Sequence, residues 1–247
     1  MRWIVISPHF DDAVLSCGGL IWAAAQKGVP VEIWTVCAGY PQPGPLSELA
    51  TRIHAEWGTG DARETVELRR AEDRAAAAEV GAAVHHFSTL DCIYRTHSSG
   101  AFLYTDDVFD PPHPADARLP ELIATELAPG LLPDDSVIGP LTVGHHVDHV
   151  LTRAAVERLG RPVTYYADIP YLLRFPDELP GAAHGLTETI IPIPARSLAA
   201  WQKGVAAYAS QLRMLFGNEP EMRRQIRAYW ATDHSARLWA RPTVWCP

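Results

Sequence analysis

Residues 3–25 read WIVISPHFDDAVLSCGGLIWAAA, and the fold turns on how this stretch divides. Trp3-Ile4-Val5-Ile6 is a short β-branched and aromatic run, the pattern of a buried strand. Val14 to Ala25 reads as a helix, with a glycine pair, Gly18-Gly19, that permits close approach of another backbone. Between them, Ser7-Pro8-His9-Phe10-Asp11-Asp12-Ala13 forms the turn. A strand whose carboxyl end passes into a helix is where open α/β sheets place their ligand sites. This turn carries an imidazole and two carboxylates, more polar chemistry than a tight turn requires.

Outward from that stretch, strands and helices alternate. Strands are expected at 31–38, 84–88, 136–141, 163–169 and 187–192, the last taken as the final strand. Helices are expected at 46–57, 62–80, 119–129, from about 147 to Leu159, and as one long element over 195–217, with a short helix in the tail 219–247. Segments 92–117 and 170–186 read as insertions framing a site. The expectation is an α/β fold with a mainly parallel sheet sandwiched by helices, formed as a single domain over 1–247. Trp230, Trp239 and Trp245 indicate a tail packed against the body.

Composition narrows the function. Of 247 residues, 47% are apolar and 20% charged, an ordinary globular balance. A net charge of −8 without a Lys/Arg run argues against nucleic acid as a partner. No apolar run approaches a membrane span. Cys17, Cys37, Cys92 and Cys246 are scattered without a C-x-x-C pair, and the N-terminus lacks a signal-peptide layout, so a reduced, cytoplasmic setting is expected. A homo-oligomer is left open.

A second polar cluster, His145-His146-Val147-Asp148-His149, also follows a strand and opens a helix, with His146 and His149 at i,i+3 on one side of its first turn. If the two strands are neighbours, His9, Asp11, Asp12, His146 and His149 converge at a switch point. Two histidines and a carboxylate with an open position suit a catalytic zinc ion. A spare carboxylate then serves as general base, and a spare histidine as acid or electrophile. Taken singly, Asp11 or Asp12 reads equally well as an N-cap, and His145 better as a loop or core residue. Arg69 and Glu72, at i,i+3, read as a solvated salt bridge. G-x-G-x-x-G is absent, which disfavours a dinucleotide enzyme.

SPHFDDAVLSCGG at 7–19 followed by GHHVDHV at 144–150 is similar to the PIG-L/LmbE-like family of zinc-dependent de-N-acetylases. The resemblance extends to Arg69-Arg70-Ala71-Glu72-Asp73 and Tyr208-Ala209-Ser210-Gln211. It implies a Rossmann-like fold, His9, Asp12 and His149 as zinc ligands, Asp11 as general base on zinc-bound water, and His146, as imidazolium, assisting the intermediate or leaving amine. It also implies Arg69, with Arg70 as alternate, and Asp91 as substrate contacts. Phe10 and Ala13 depart from the family's common Pro and Glu. Asp148 reads either as an orienting partner of His146 or His149 or as a solvated helix-start residue. For Tyr94, Arg95, Asp168 and Tyr171 an ordinary surface or packing role is expected.

The implied function is hydrolysis of an N-acetyl (N-acyl) group from an amino sugar, N-acetylglucosamine for example, or a small glycoside. Two alternatives stand beside it. One is zinc amide hydrolysis on a non-sugar natural product or amino-acid amide. The other is a non-enzymatic binding or regulatory module on the same fold.

Overall fold

A computed structural model of the chain describes residues 1–109 and 111–242. Trp245 and Cys246 lie outside them. Its seven strands are β1 (Trp3–Ser7), β2 (Val31–Thr35), β3 (Ala83–His86), β4 (Ser136–Pro140), β5 (Val163–Tyr166), β6 (Thr187–Pro192) and β7 (Ser235–Ala240). They form one sheet in the order β3-β2-β1-β4-β5-β7-β6. The first five run parallel, and β7 pairs antiparallel with both β5 and β6. The α/β class and the mainly parallel sheet expected from sequence are what is observed.

The helices are α1 (Asp12–Gln26), α2 (Glu48–Trp57), α3 (Ala62–Val80), α4 (Leu119–Leu127), α5 (Val147–Val156), α6 (Tyr171–Arg174), α7 (Leu179–Ala182), α8 (Ala195–Ala206), α9 (Ala209–Phe216) and α10 (Glu219–Ala231). Strand alternation divides the core between the two faces of the sheet. Val5 of β1 packs with α1, α3 and α8, whereas Ile4 and Ile6 pack with α4 and α5. Burial on both faces is why β1 reads as a continuous apolar run rather than an alternating one. Among the described residues, no helix is long and apolar enough to cross a membrane.

Three expectations change. β6 is not the last strand, because Ser235–Ala240 inserts between it and β5. The helix expected at 195–217 is two, broken at Tyr208, whose hydroxyl donates to Asp73 Oδ1 at 3.0 Å. The glycine pair of α1 meets a side chain instead of a backbone: a Cβ on Gly18 would lie 2.7 Å from Trp201 Cδ1. The Trp201 indole N–H donates to the carbonyls of Val14 and Leu15, beside the break in α1 at Cys17. As far as residue 242 the tail packs as expected, with Trp239 buried in the sheet.

β1 and β4 are adjacent and parallel, so the turns after them rise side by side at the carboxyl edge. The sheet order reverses direction here, with β2 on one side of β1 and β4 on the other. This is the crevice in which open α/β sheets bind ligands.

Candidate metal centre and active site

The turn after β1 is held by its own polar groups. Ser7 Oγ donates to the carbonyl of His9 and accepts from the Ala13 N–H at 3.0 Å. Asp12 Oδ2 accepts the His9 N–H at 2.8 Å. Asp11 occupies the N-cap position of α1 but makes no side-chain cap bond, so its carboxylate is free for other work. The turn after β4 carries three left-handed residues, Thr142, Gly144 and His145. Glycine is required at 144, where a Cβ would come within 2.7 Å of the Tyr171 side chain. His146 caps α5, its Nδ1 accepting from the Asp148 N–H at 3.2 Å. His145 is exposed and points away toward Glu178.

These two turns bring His9, Asp12, His146 and His149 together. Asp12 Oδ2 lies 3.3 Å from His9 Nδ1 and 3.3 Å from His149 Nε2. The ring of His9 sits 4.7 Å from that of His146 and 5.4 Å from that of His149, centroid to centroid. His149 Nε2 is buried and has no hydrogen-bond partner.

Each imidazole is oriented from behind. His9 Nε2 pairs with Asp148 Oδ2 at 2.9 Å, and His149 Nδ1 with Asp168 Oδ1 at 2.6 Å. Those bonds put a proton on the outer nitrogens and leave His9 Nδ1 and His149 Nε2 facing Asp12. A carboxylate behind a histidine is the usual support of a metal-binding imidazole.

The donor set fits zinc. Ligands about 2.0–2.1 Å from a tetrahedral zinc stand roughly 3.3 Å apart, the separation found here for both histidine–Asp12 pairs. One ring nitrogen from each of His9, His146 and His149 also lies within 4.8 Å of the other two, so His146 borders the same space. Electrostatics agree. Burial disfavours charge on His9 and His149, yet Asp91, Asp12 and Asp148 hold His9 well above the usual range, and Asp12 and Asp168 raise His149 to about 9. Against its own burial, Asp12 is held far below the carboxylate range by His149 and His9. The centre is built for positive charge. Two further clusters, His9-Cys37-Asp148 and Cys92-His146-Asp148, lie behind it. There the cation is already present, because Arg95 Nη1 pairs with Asp148 Oδ1 at 2.5 Å.

A cavity of about 320 Å³ opens onto the centre. His9, Asp11, Asp12 and His146 line its floor, and Arg69 and Asp91 also face it. Arg69 Nη2 donates to Asp11 Oδ1 at 3.3 Å, Nη1 lies 3.6 Å from Asp91 Oδ2, and the guanidinium stacks on Trp57 at 4.5 Å. Burial pushes the Asp11 carboxyl up to about 6, against the pull of Arg69. Apolar walls come from Leu49, Ile53 and Trp57 on one side and Phe109, Met214 and Leu215 on others.

Several roles differ from the sequence-based expectation. Burial, with His9 and His149 nearby, drives His146 well below the usual range, so it is neutral rather than imidazolium. Arg69 and Glu72 form no solvated pair. Both are buried, and Glu72 accepts from the Ser210 N–H and hydroxyl at 2.8 and 2.7 Å. Asp73 holds Tyr208, Thr35 and His86, so 69–73 and 208–211 meet each other. Arg70 turns to the Ala38 carbonyl and does not line the cavity.

Asp148 orients His9, and Asp168 and Arg95 are buried in the support of the centre, not on the surface. Tyr94 hydrogen-bonds His54 Nε2 at 2.7 Å, and Tyr171 lies against His149 with ring centroids 5.5 Å apart. Asp168 has the same signal as the two motifs, a carboxylate just past a parallel strand end. Arg95 has no comparable mark.

The family model for PIG-L, GlcNAc-PI de-N-acetylase, matches residues 4–159. A 2'-N-acetylparomamine deacetylase of Niallia circulans is 28% identical over 96% of this chain and 93% of its own length. Among solved structures, the zinc-inhibited form of teicoplanin deacetylase Orf2 superimposes with a TM-score of 0.84 at 28% identity, covering 97% of both chains. The A40926 pseudoaglycone deacetylase Dbv21 gives 0.78 at 29% identity, over 97% of this chain and 96% of its own.

Proposed function

Because the chain belongs to the PIG-L family, we propose that it is a zinc-dependent hydrolase that removes an N-acetyl group from an amino sugar carried on a larger small molecule. The observation that carries this reading is the Asp12 carboxylate, 3.3 Å from His9 Nδ1 and from an otherwise unpartnered His149 Nε2, on the floor of a cavity that also presents Asp11. His9, Asp12 and His149 would hold the metal. Zinc at such a site lowers the pKa of a bound water to about 7 and polarises a carbonyl.

The rest is done by this chain's own groups. Asp11, free of capping duty and poised by burial near 6, takes the proton of the attacking water. The same carboxyl then supplies a proton to the departing amine. His146 is neutral with Nδ1 engaged by the Asp148 N–H, so its proton is on Nε2, and it donates to the oxyanion as charge develops. Arg69 and Asp91 supply donors and acceptors for sugar hydroxyls, and Trp57, Phe109 and Met214 offer apolar area to the attached scaffold. The relatives are named as deacetylases of 2'-N-acetylparomamine and of teicoplanin.

The apolar walls favour one second reading, an amide on a non-sugar natural product with the catalytic groups unchanged. A panel separates the two. Zinc-loaded protein is incubated with N-acetylglucosaminides bearing aglycones of increasing size and with N-acyl amino acids, and released acetate is quantified. Turnover of the glycosides, rising with apolar aglycone, is expected. Turnover confined to the amino-acid amides would overturn the sugar assignment.

A further inference from the structure

Behind the metal centre, a chain of buried charges leads away from His9. His9 Nε2 pairs with Asp148 Oδ2, and Asp148 Oδ1 with Arg95 Nη1 at 2.5 Å. Arg95 Nε in turn lies 3.0 Å from Asp116 Oδ2, and that oxygen accepts from the Tyr104 hydroxyl at 2.8 Å. The Tyr104 hydroxyl accepts the His113 N–H at 2.9 Å, and the Tyr104 ring lies 5.2 Å from the Arg95 guanidinium. All of Arg95, Tyr104, Asp116 and Asp148 are buried.

The far end of this chain is the wall of the cavity. Asp106, Asp107, Val108 and Phe109 line it, and they lie between the two residues, Tyr104 and Asp116, that Arg95 engages. The wall is anchored again where the Leu103 N–H donates to the Arg95 carbonyl at 3.0 Å and the Val147 N–H to the Val108 carbonyl at 2.8 Å. One guanidinium therefore touches the carboxylate that orients His9 and the carboxylate that ties down the wall.

We propose that Arg95 is a positioning residue that couples the two: through Asp148 it fixes the His9 ring for metal binding, and through Asp116 and Tyr104 it fixes the wall residues Asp106–Phe109 for substrate. Among the described residues, the Asp148 carboxylate is met by the His9 ring, the Cys92 N–H and Arg95, and Arg95 is the full positive charge among them. With Arg95 removed, a fully buried carboxylate loses its countercharge, a costly state, and the contact at Oδ1 that fixes the angle at which Oδ2 meets His9 is gone. Arginine is required because two nitrogens of one planar group meet two separate carboxylates, which a lysine ammonium on a flexible stem does not span.

The metal half of this inference rests on the reading of His9 as a metal ligand, and its substrate half also on the proposed hydrolysis. The test is zinc affinity by chelator competition, with kcat and KM on the best substrate of the panel, for Arg95→Met, Arg95→Lys and Asp116→Asn. Arg2→Met is the control, since Arg2 forms ion pairs with Glu32 and Asp135 at the opposite edge of the sheet. Arg95→Met is expected to weaken zinc about tenfold or more, the effect of losing support behind a metal ligand, and to raise KM.

Asp116→Asn should raise KM several-fold with zinc affinity within about threefold of the parent. Arg95→Lys should recover part of the zinc affinity but keep the raised KM. In zinc-loaded protein, the His9 Nε2–H proton resonance should shift in Arg95→Met while that of His149 Nδ1–H does not, a change that general loosening would not confine to one ring. Folded Arg95→Met with parental zinc affinity overturns the proposal. If that variant does not fold, Arg95→Lys matching the parent in both zinc affinity and KM overturns it equally. A parent that binds zinc without releasing acetate sinks the proposed reaction and the substrate half of the proposal, while the metal half still stands or falls on the zinc affinity of Arg95→Met; a parent that does not bind zinc sinks all of it.

Discussion

Replacing Arg69 with glutamine should move the acid limb of the pH–rate profile upward. Asp11 must be ionised to accept a proton, so activity falls as pH drops through its pKa. Burial raises that pKa and the Arg69 guanidinium lowers it. Removing the guanidinium therefore shifts the limb toward neutral pH. At 3.3 Å and an effective dielectric constant of about 20, a unit charge pair is worth ~5 kcal/mol, equivalent to more than three pH units.

That is an upper bound, because Arg69 is shared with Asp91. Opposite charges at such distances commonly shift a carboxyl by about 1–3 units, and a rise of one to two is expected. The assay is kcat/KM against pH, which reports the free enzyme. Arg69 also faces the cavity, so the height of the profile will drop, and the diagnostic is the position of the limb. Arg69→Lys keeps the charge and should move it by less than half as much. A limb that stays within about 0.3 units in Arg69→Gln would refute the assignment of Asp11 as the base.

Three other outcomes are expected. Asp168→Ala should weaken zinc about 10–100-fold by releasing His149, measured by chelator competition. Gly18→Ala should gain up to ~1 kcal/mol in helix propensity but lose about 1–3 kcal/mol to overpacking, because Trp201 is pinned by two carbonyls and cannot retreat. A net fall in melting temperature of a few degrees is the readout. Asp135→Asn should destabilise by about 1–3 kcal/mol at pH 7. The Asp135 pKa is depressed by Arg2, so its contribution is complete above the unfolded value of about 3.9 and is lost as pH falls through the folded one. Denaturant titrations of parent and variant should therefore converge only in strong acid.

The parts of the fold written in local pattern were legible in the sequence. β1, its polar turn and α1 are contiguous, and the second turn repeats that arrangement at β4, so one rule found both halves of the centre. What escaped depends on distant contacts. β7 is a short strand, SARLWA, defined by antiparallel pairing on both sides rather than by its own alternation. The break between α8 and α9 follows from Tyr208 reaching Asp73, 135 positions away in the chain. Arg69 and Glu72 share a helical spacing that suggests a surface pair, yet tertiary packing sends one to Asp11 and the other to Ser210. Asp168 was within reach of the strand-end rule. Arg95 was not, because its role exists only once Asp148 and Asp116 are folded around it.

The division of labour between the two adjacent aspartates is the centre of the account, and zinc content measured beside turnover tests it most directly. Asp11→Asn should retain one zinc per chain and lose at least about 100-fold in acetate release, in keeping with removal of a general base. Asp12→Asn should lose tightly bound zinc. Asp11→Asn protein that cannot hold zinc, or Asp12→Asn protein that holds it as tightly as the parent, would contradict the assignment.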